Sequence, residues 1–113
     1  MDGMGRIITL AERKAAIVER KRQGLASLRP ALATYAREHD GRFLLFGSAA
    51  RQAMRRDSDV DVLTDFPESE TAAAWQFAER ACWDRGLTPD IMPVAWCKPD
   101  FLAHIQADIE VIE

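Results

Sequence analysis

The chain has 113 residues, of which 48% are hydrophobic and 29% charged, with a net charge of -3. That size suits one globular domain with a single core and leaves no room for a separate substrate domain. The acidic balance argues against a general nucleic-acid binder, and the chain contains no signal peptide and no 18-residue apolar stretch that would place it in a membrane. Cys82 and Cys97 are isolated, without zinc-ligand spacing or a disulfide framework, so a cytoplasmic location is expected. The whole of 1–113 reads as one domain, with residues 1–8 expected to be flexible.

From Thr9 to Arg22 the residues are mostly good helix formers, and Thr9 with Glu12 three positions later makes a capping box. Gly24 interrupts this pattern. Leu25, Leu28, Leu32 and Tyr35 then recur at helical spacing until His39-Asp40-Gly41, with Pro30 marking a first turn or a kink. The reading is two helices, near 9–23 and 26–39, or a single bent one. A strand at 42–46 follows, then a turn with a short helix from Ser48 to about Met54, then the polar loop Arg55-Arg56-Asp57-Ser58.

A second strand is expected from Val60 to about Thr64. Glu68 to Arg85 is an amphipathic helix with Ala72, Trp75, Phe77, Ala78, Ala81 and Cys82 on its apolar face and Gly86 as its stop signal. A third strand spans 87–94, and Pro93 makes it a poor central strand. A short helix near 99–107 and a final strand near 109–112 close the chain. Alternating helices and strands predict an α/β fold, a small mixed sheet flanked by helices.

The chemistry concentrates between Phe43 and Val62. An apolar run, Phe43-Leu44-Leu45-Phe46, breaks at Gly47-Ser48, and a second opens with Asp59 and Asp61 separated by one residue. In an extended strand such alternate carboxylates face the same way, about 6–7 Å apart at their Cα atoms, which outlines a divalent-cation site. Acidic groups on an apolar strand are costly to bury without a counter-charge, and a hard cation bound through oxygen supplies one. Gly47 lets the backbone approach a phosphate, Ser48 offers a hydroxyl, the N–H groups opening the next helix add an anion site, and Arg51 can fork onto phosphate oxygens. Asp90, in Thr-Pro-Asp-Ile-Met-Pro-Val, is a further acidic residue in an apolar context.

Each residue also has a plainer reading. Ser48 can simply cap a helix, Asp59 and Asp61 can be solvated residues of an edge strand, and Asp90 can end a turn. Arg55 and Arg56 can be solvated loop arginines. Trp75, Trp83 and Trp96 read as core or interface residues rather than base-stacking platforms, and His39 and His104 as structural or surface residues.

Phe46-Gly47-Ser48-Ala49-Ala50-Arg51, followed after Ser58 by Asp59-Val60-Asp61-Val62, resembles the signature of the DNA polymerase beta nucleotidyltransferase superfamily. More narrowly it resembles the minimal nucleotidyltransferases, small proteins often paired with all-helical HEPN partners in prokaryotic toxin–antitoxin modules. The resemblance implies a nucleotidyltransferase fold and transfer of AMP from ATP to a hydroxyl, a tyrosine of a HEPN-type toxin, with the chain as antitoxin. It implies Asp59, Asp61 and Asp90 as catalytic residues and ligands of two Mg²⁺ ions. Gly47, Ser48, Arg51 and Ser58 would bind the nucleoside triphosphate, and Asp90 would accept a proton from the attacking hydroxyl.

Gln52 departs from the family, which commonly has Gly there, a change that would bear on how the loop covers the triphosphate. The short chain also argues against template-directed synthesis. The alternatives are a non-catalytic antitoxin with a vestigial nucleotide pocket, or a nucleotidyltransferase acting on a small molecule such as an aminoglycoside.

Overall fold

A computed structural model describes residues 8–51 and 53–113. The flexibility expected of residues 1–8 falls, Ile8 apart, outside the described residues, and so does the departure at Gln52. Helix α1 spans Leu10–Glu38 as one element of 29 residues. Thr9 caps it, its hydroxyl accepting from the Glu12 N–H at 3.1 Å. The two-helix expectation therefore gives way to its single-helix variant, because neither local breaker ends the helix. Pro30 lies inside it, where packing of Leu25, Leu28, Leu32 and Ala36 into the core outweighs one lost hydrogen bond. Gly24 is a packing position: a Cβ there would stand 2.7 Å from the Arg85 carbonyl oxygen.

Strands β1 (Arg42–Phe46), β2 (Val60–Asp65), β3 (Pro89–Pro93) and β4 (Glu110–Ile112) form one sheet in the order β3-β2-β1-β4. β1 pairs antiparallel with both β2 and β4, and β2 pairs in parallel with β3, so the sheet is mixed. The two prolines that bound β3 sit on an edge strand, where a missing N–H leaves no central ladder broken. Between β1 and β2 lies the one-turn helix α2, Gly47–Ala50. The longer helix expected to about Met54 is not formed, since Arg51 already caps α2 and the Ala53 N–H closes back on the Ser48 carbonyl at 2.8 Å.

Helix α3 (Thr71–Trp83) follows a 3-10 turn at Glu68–Glu70 and makes the crossover between the parallel strands. Helix α4 (Pro99–Ile105), with Pro99 in its first turn, precedes a 3-10 turn at Gln106–Asp108 that leads into β4.

Strand alternation divides the interior. Phe43, Leu45, Val60, Val62, Ile91 and Ile112 face α1 and α3, while Leu44, Leu63 and Ile105 form a smaller cluster with Phe46, Met92 and Phe101 on the α4 side. Arg29 ties the layers together, donating to both Glu110 oxygens at 2.8 and 3.1 Å and to the Ala49 carbonyl at 3.4 Å. Among the described residues no helix is long and apolar enough to cross a membrane.

Candidate active site

The period-two register places Asp61 on the α4 face of the sheet, between its neighbours in space. It pairs with Phe46 across the antiparallel β1–β2 ladder and with Asp90 across the parallel β2–β3 ladder. Partners in register carry their side chains on one face, so two carboxyls separated by 29 positions in the chain meet. The Asp61 carboxyl is pushed up from 3.8 to about 6, first by burial, then by repulsion from Asp90 and Asp59, with a hydrogen bond to Asp90 adding to the rise and Arg51 opposing it. A carboxyl pushed up by burial and by two acidic neighbours, with one arginine in opposition, is under-neutralised, and a hard divalent cation is the ligand whose chemistry this oxygen donor set fits.

Asp59 is exposed and precedes β2. It acts on Asp61 through its charge, and the direct carboxyl contact is between Asp61 and Asp90. Among the described residues no three His, Cys, Asp or Glu side chains stand close enough to enclose a metal ion.

Gly47 adopts φ +69°, and a Cβ on it would stand 2.5 Å from the Asp61 Oδ2. Its lack of a side chain serves the carboxylate, and at this positive φ a larger residue would be strained and would displace Asp61. Ser48 is half-buried with its hydroxyl 3.7 Å from the Met54 sulfur, a weak contact that leaves the oxygen available. Arg51 directs its Nη1 to Asp108 at 3.3 Å. Ser58 accepts the Arg55 N–H at 2.8 Å while its own N–H donates to the Arg55 carbonyl at 3.1 Å, so this hydroxyl closes the polar loop. Lys21 of α1 donates to the Ser58 carbonyl at 2.9 Å and anchors that loop. Arg55 and Arg56 are exposed.

Beside the carboxyl pair is a cleft of about 300 Å³, lined by Asp61 and Asp90 at one end and by Phe46, Met92, Trp96 and Phe101 further along. A wider depression of about 670 Å³ lies at the opposite end of the strands, around Arg37, Arg42, Asp65 and Phe66, and holds none of the expected ligands. Chemistry decides between them: the smaller cleft has the paired carboxyls, one of which packs against Gly47.

The sequence reading missed Asp108 and the aromatic lining. Asp108 is 57 residues from Arg51, and no local pattern signals that contact. Trp96 is 66% exposed and meets Trp75 edge-on at 5.4 Å, which rules out a core role for it. Trp83, at 61% exposure, is likewise outside the core. His39 stacks on Tyr35 at 4.0 Å and lies 3.6 Å from Glu70, a structural position.

A glycine turn follows one strand and a carboxyl pair stands on the next two, and the nucleotidyltransferase domain family matches residues 25–109. The chain belongs to that family. Within it, the chain is similar to a solved minimal nucleotidyltransferase structure, with 25% sequence identity and a TM-score of 0.62 over 79% of this chain and 93% of that one. No curated protein sequence matches it.

Proposed function

We propose that the chain transfers AMP from ATP to a hydroxyl in a Mg²⁺-dependent reaction, and that the acceptor is a tyrosine of a HEPN-type helical toxin, which the chain thereby restrains as a cytoplasmic antitoxin. The observation that carries the transfer chemistry is the meeting of Asp61 and Asp90 across β2–β3, with Gly47 packed against Asp61. Family membership supports the transferase class. The partner and the antitoxin role rest on the resemblance of the Gly47-to-Asp61 motif.

In this reading Asp61 and Asp90 would hold Mg²⁺, and Asp59, exposed just ahead of β2, would turn in to join them. When bound, the ion neutralises the carboxylates and the charge gathering on the phosphates. The Gly47-Ser48 turn receives the triphosphate, and Arg51 turns from Asp108 to its oxygens. Asp90 is exposed at the cleft, where it takes the proton of the incoming hydroxyl. The hydroxyl oxygen bonds to the α-phosphorus as the bond to the bridging oxygen breaks and pyrophosphate leaves. Positioning and charge complementarity supply most of the rate.

A second reading has one observation in its favour. Because no three described side chains enclose a metal-sized site, the chain is alternatively a docking module that neutralises its partner by contact. Incubation with labelled ATP, Mg²⁺ and the product of the adjacent gene separates the two. Label on the partner, lost in Asp59→Asn and Asp61→Asn, is expected. Equal neutralisation of the partner by wild type and both variants, without label, overturns the transfer reading.

A further inference from the structure

The first half of α1 projects beyond the shared domain. The family match begins at residue 25, the first buried residue of the helix is Leu25, and everything from Leu10 to Ala16 is exposed. A helix of about 15 residues is marginal alone in water, so this arm gains by having something to pack against.

Its faces are segregated by charge. At about 100° per residue, Leu10 and the half-buried Ile17 and Val18 share the side that continues into the buried stripe of Leu25, Leu28 and Leu32, with Lys14 among them and Arg13 and Arg20 alongside, while Lys21 on that side is held by the Ser58 carbonyl of its own chain. Glu12 and Glu19 fall on the opposite side. Over residues 9–23 there are five basic residues against two acidic ones, whereas the remainder of the chain has ten against sixteen. The arm is thus a basic amphipathic helix attached to a body of net charge -6 by the same count. Leu10 is 63% exposed.

The body carries a complementary surface. A groove of about 510 Å³ runs along the outer side of α3, with Trp75, Trp96 and Ala72 as its apolar part and Glu68 and Glu79 as its charges. Neither glutamate has an ion-pair partner among the described residues. Apolar rings between carboxylates are what a helix presenting leucine, isoleucine and valine between lysines and arginines requires.

We propose that the occupant of this groove is the basic arm of a second copy of the chain, and that two copies exchange arms in a two-fold dimer. Arm against arm would set like charges together, which excludes pairing of the arms themselves. One arm in one groove is a small contact. Reciprocal exchange doubles it toward the roughly 1,200 Å² at which specific interfaces begin, and it closes the assembly. Because Trp75 and Trp96 line both this groove and the carboxylate cleft, each arm would sit at the rim of the other copy's cleft.

Sedimentation equilibrium of the full chain tests this without reference to catalysis. At low salt and micromolar concentration the expected mass is twice the 12.7 kDa chain, falling to that of the monomer near ~1 M NaCl, where screening acts over about 3 Å. Lys14→Glu with Arg20→Glu, and separately Glu68→Lys with Glu79→Lys, are expected to weaken association at least ~10-fold. Mixing the two double variants restores a dimer, since each reversed arm then meets a reversed groove. Circular dichroism confirms that both variants fold. A wild type that stays monomeric at every concentration overturns the proposal. So does a dimer indifferent to both reversals, or a failure of the mixed variants to pair, and capture of the arm by an acidic partner of another kind in place of self-association counts the same way.

Discussion

Asp61 combines burial, two acidic neighbours and a glycine held against its Oδ2, and each has a consequence for stability. Its carboxyl is raised from 3.8 to about 6, so the folded state binds a proton that the unfolded chain has released. The stabilisation from that proton is complete below pH 3.8 and is lost as pH rises through about 6. Discounted for partial exposure, the ionised group costs the fold about 1–2 kcal/mol at neutral pH. The metal-free protein is accordingly expected to melt lower at pH 7.5 than at pH 5, with most of the difference abolished in Asp61→Asn. Calorimetric melting across that range checks this, and a wild-type Tm independent of pH would contradict it. Mg²⁺ added at pH 7.5 should raise the wild-type Tm and leave Asp61→Asn unchanged.

Gly47 is constrained twice, by φ +69° and by the 2.5 Å approach of its missing Cβ to Asp61. Gly47→Ala should destabilise the fold by about 1–3 kcal/mol and reduce transfer far more than its thermal midpoint suggests, because the Asp61 carboxyl must move. Assays below the melting transition separate the two effects. The motif Gly47-Ser48, Asp59 and Asp61 is legible in sequence because its members are close in the chain and their residue types are costly without a ligand. Asp90 opposite Asp61 is a matter of long-range register, and the hold of Asp108 on Arg51 had no local signature at all.

At the scale of elements, helix α1 shows where local signals are overruled. Gly24 and Pro30 read as breaks, yet burial of Leu25, Leu28 and Leu32 keeps the helix continuous, and the glycine answers to the Arg85 carbonyl at 2.7 Å from its missing Cβ. Propensity alone favours Gly24→Ala by up to about 1 kcal/mol. The steric contact reverses that sign, and the variant should lose about 1–2 kcal/mol in urea unfolding. A gain in stability would show that α1 shifts freely over the α3–β3 turn. The strands at 42–46 and 60–65 were legible from apolar runs ended by turn residues, whereas α2 stopped after one turn because backbone hydrogen bonds around Ser48 and Arg51 close early. Arg29→Ala removes the two-pronged contact to Glu110 and the bond to the Ala49 carbonyl, leaving a half-buried carboxylate unpaired. A loss of about 1–3 kcal/mol is expected by the same measurement.

For the whole molecule, alternation of helix and strand made the α/β class readable, and the order β3-β2-β1-β4 decides what that class can do. Placing β2 between β1 and β3 brings the glycine turn to one side of Asp61 and Asp90 to the other, a placement no single segment encodes. The central claim is that this junction transfers a nucleotidyl group rather than a phosphoryl group, and the position of the label in ATP tests it most directly. With Mg²⁺ and the partner protein present, ATP labelled at the α-phosphorus should label the acceptor while releasing unlabelled pyrophosphate, and ATP labelled at the γ-phosphorus should label only the pyrophosphate. Acceptor labelled from the γ position, or from neither, would contradict the account.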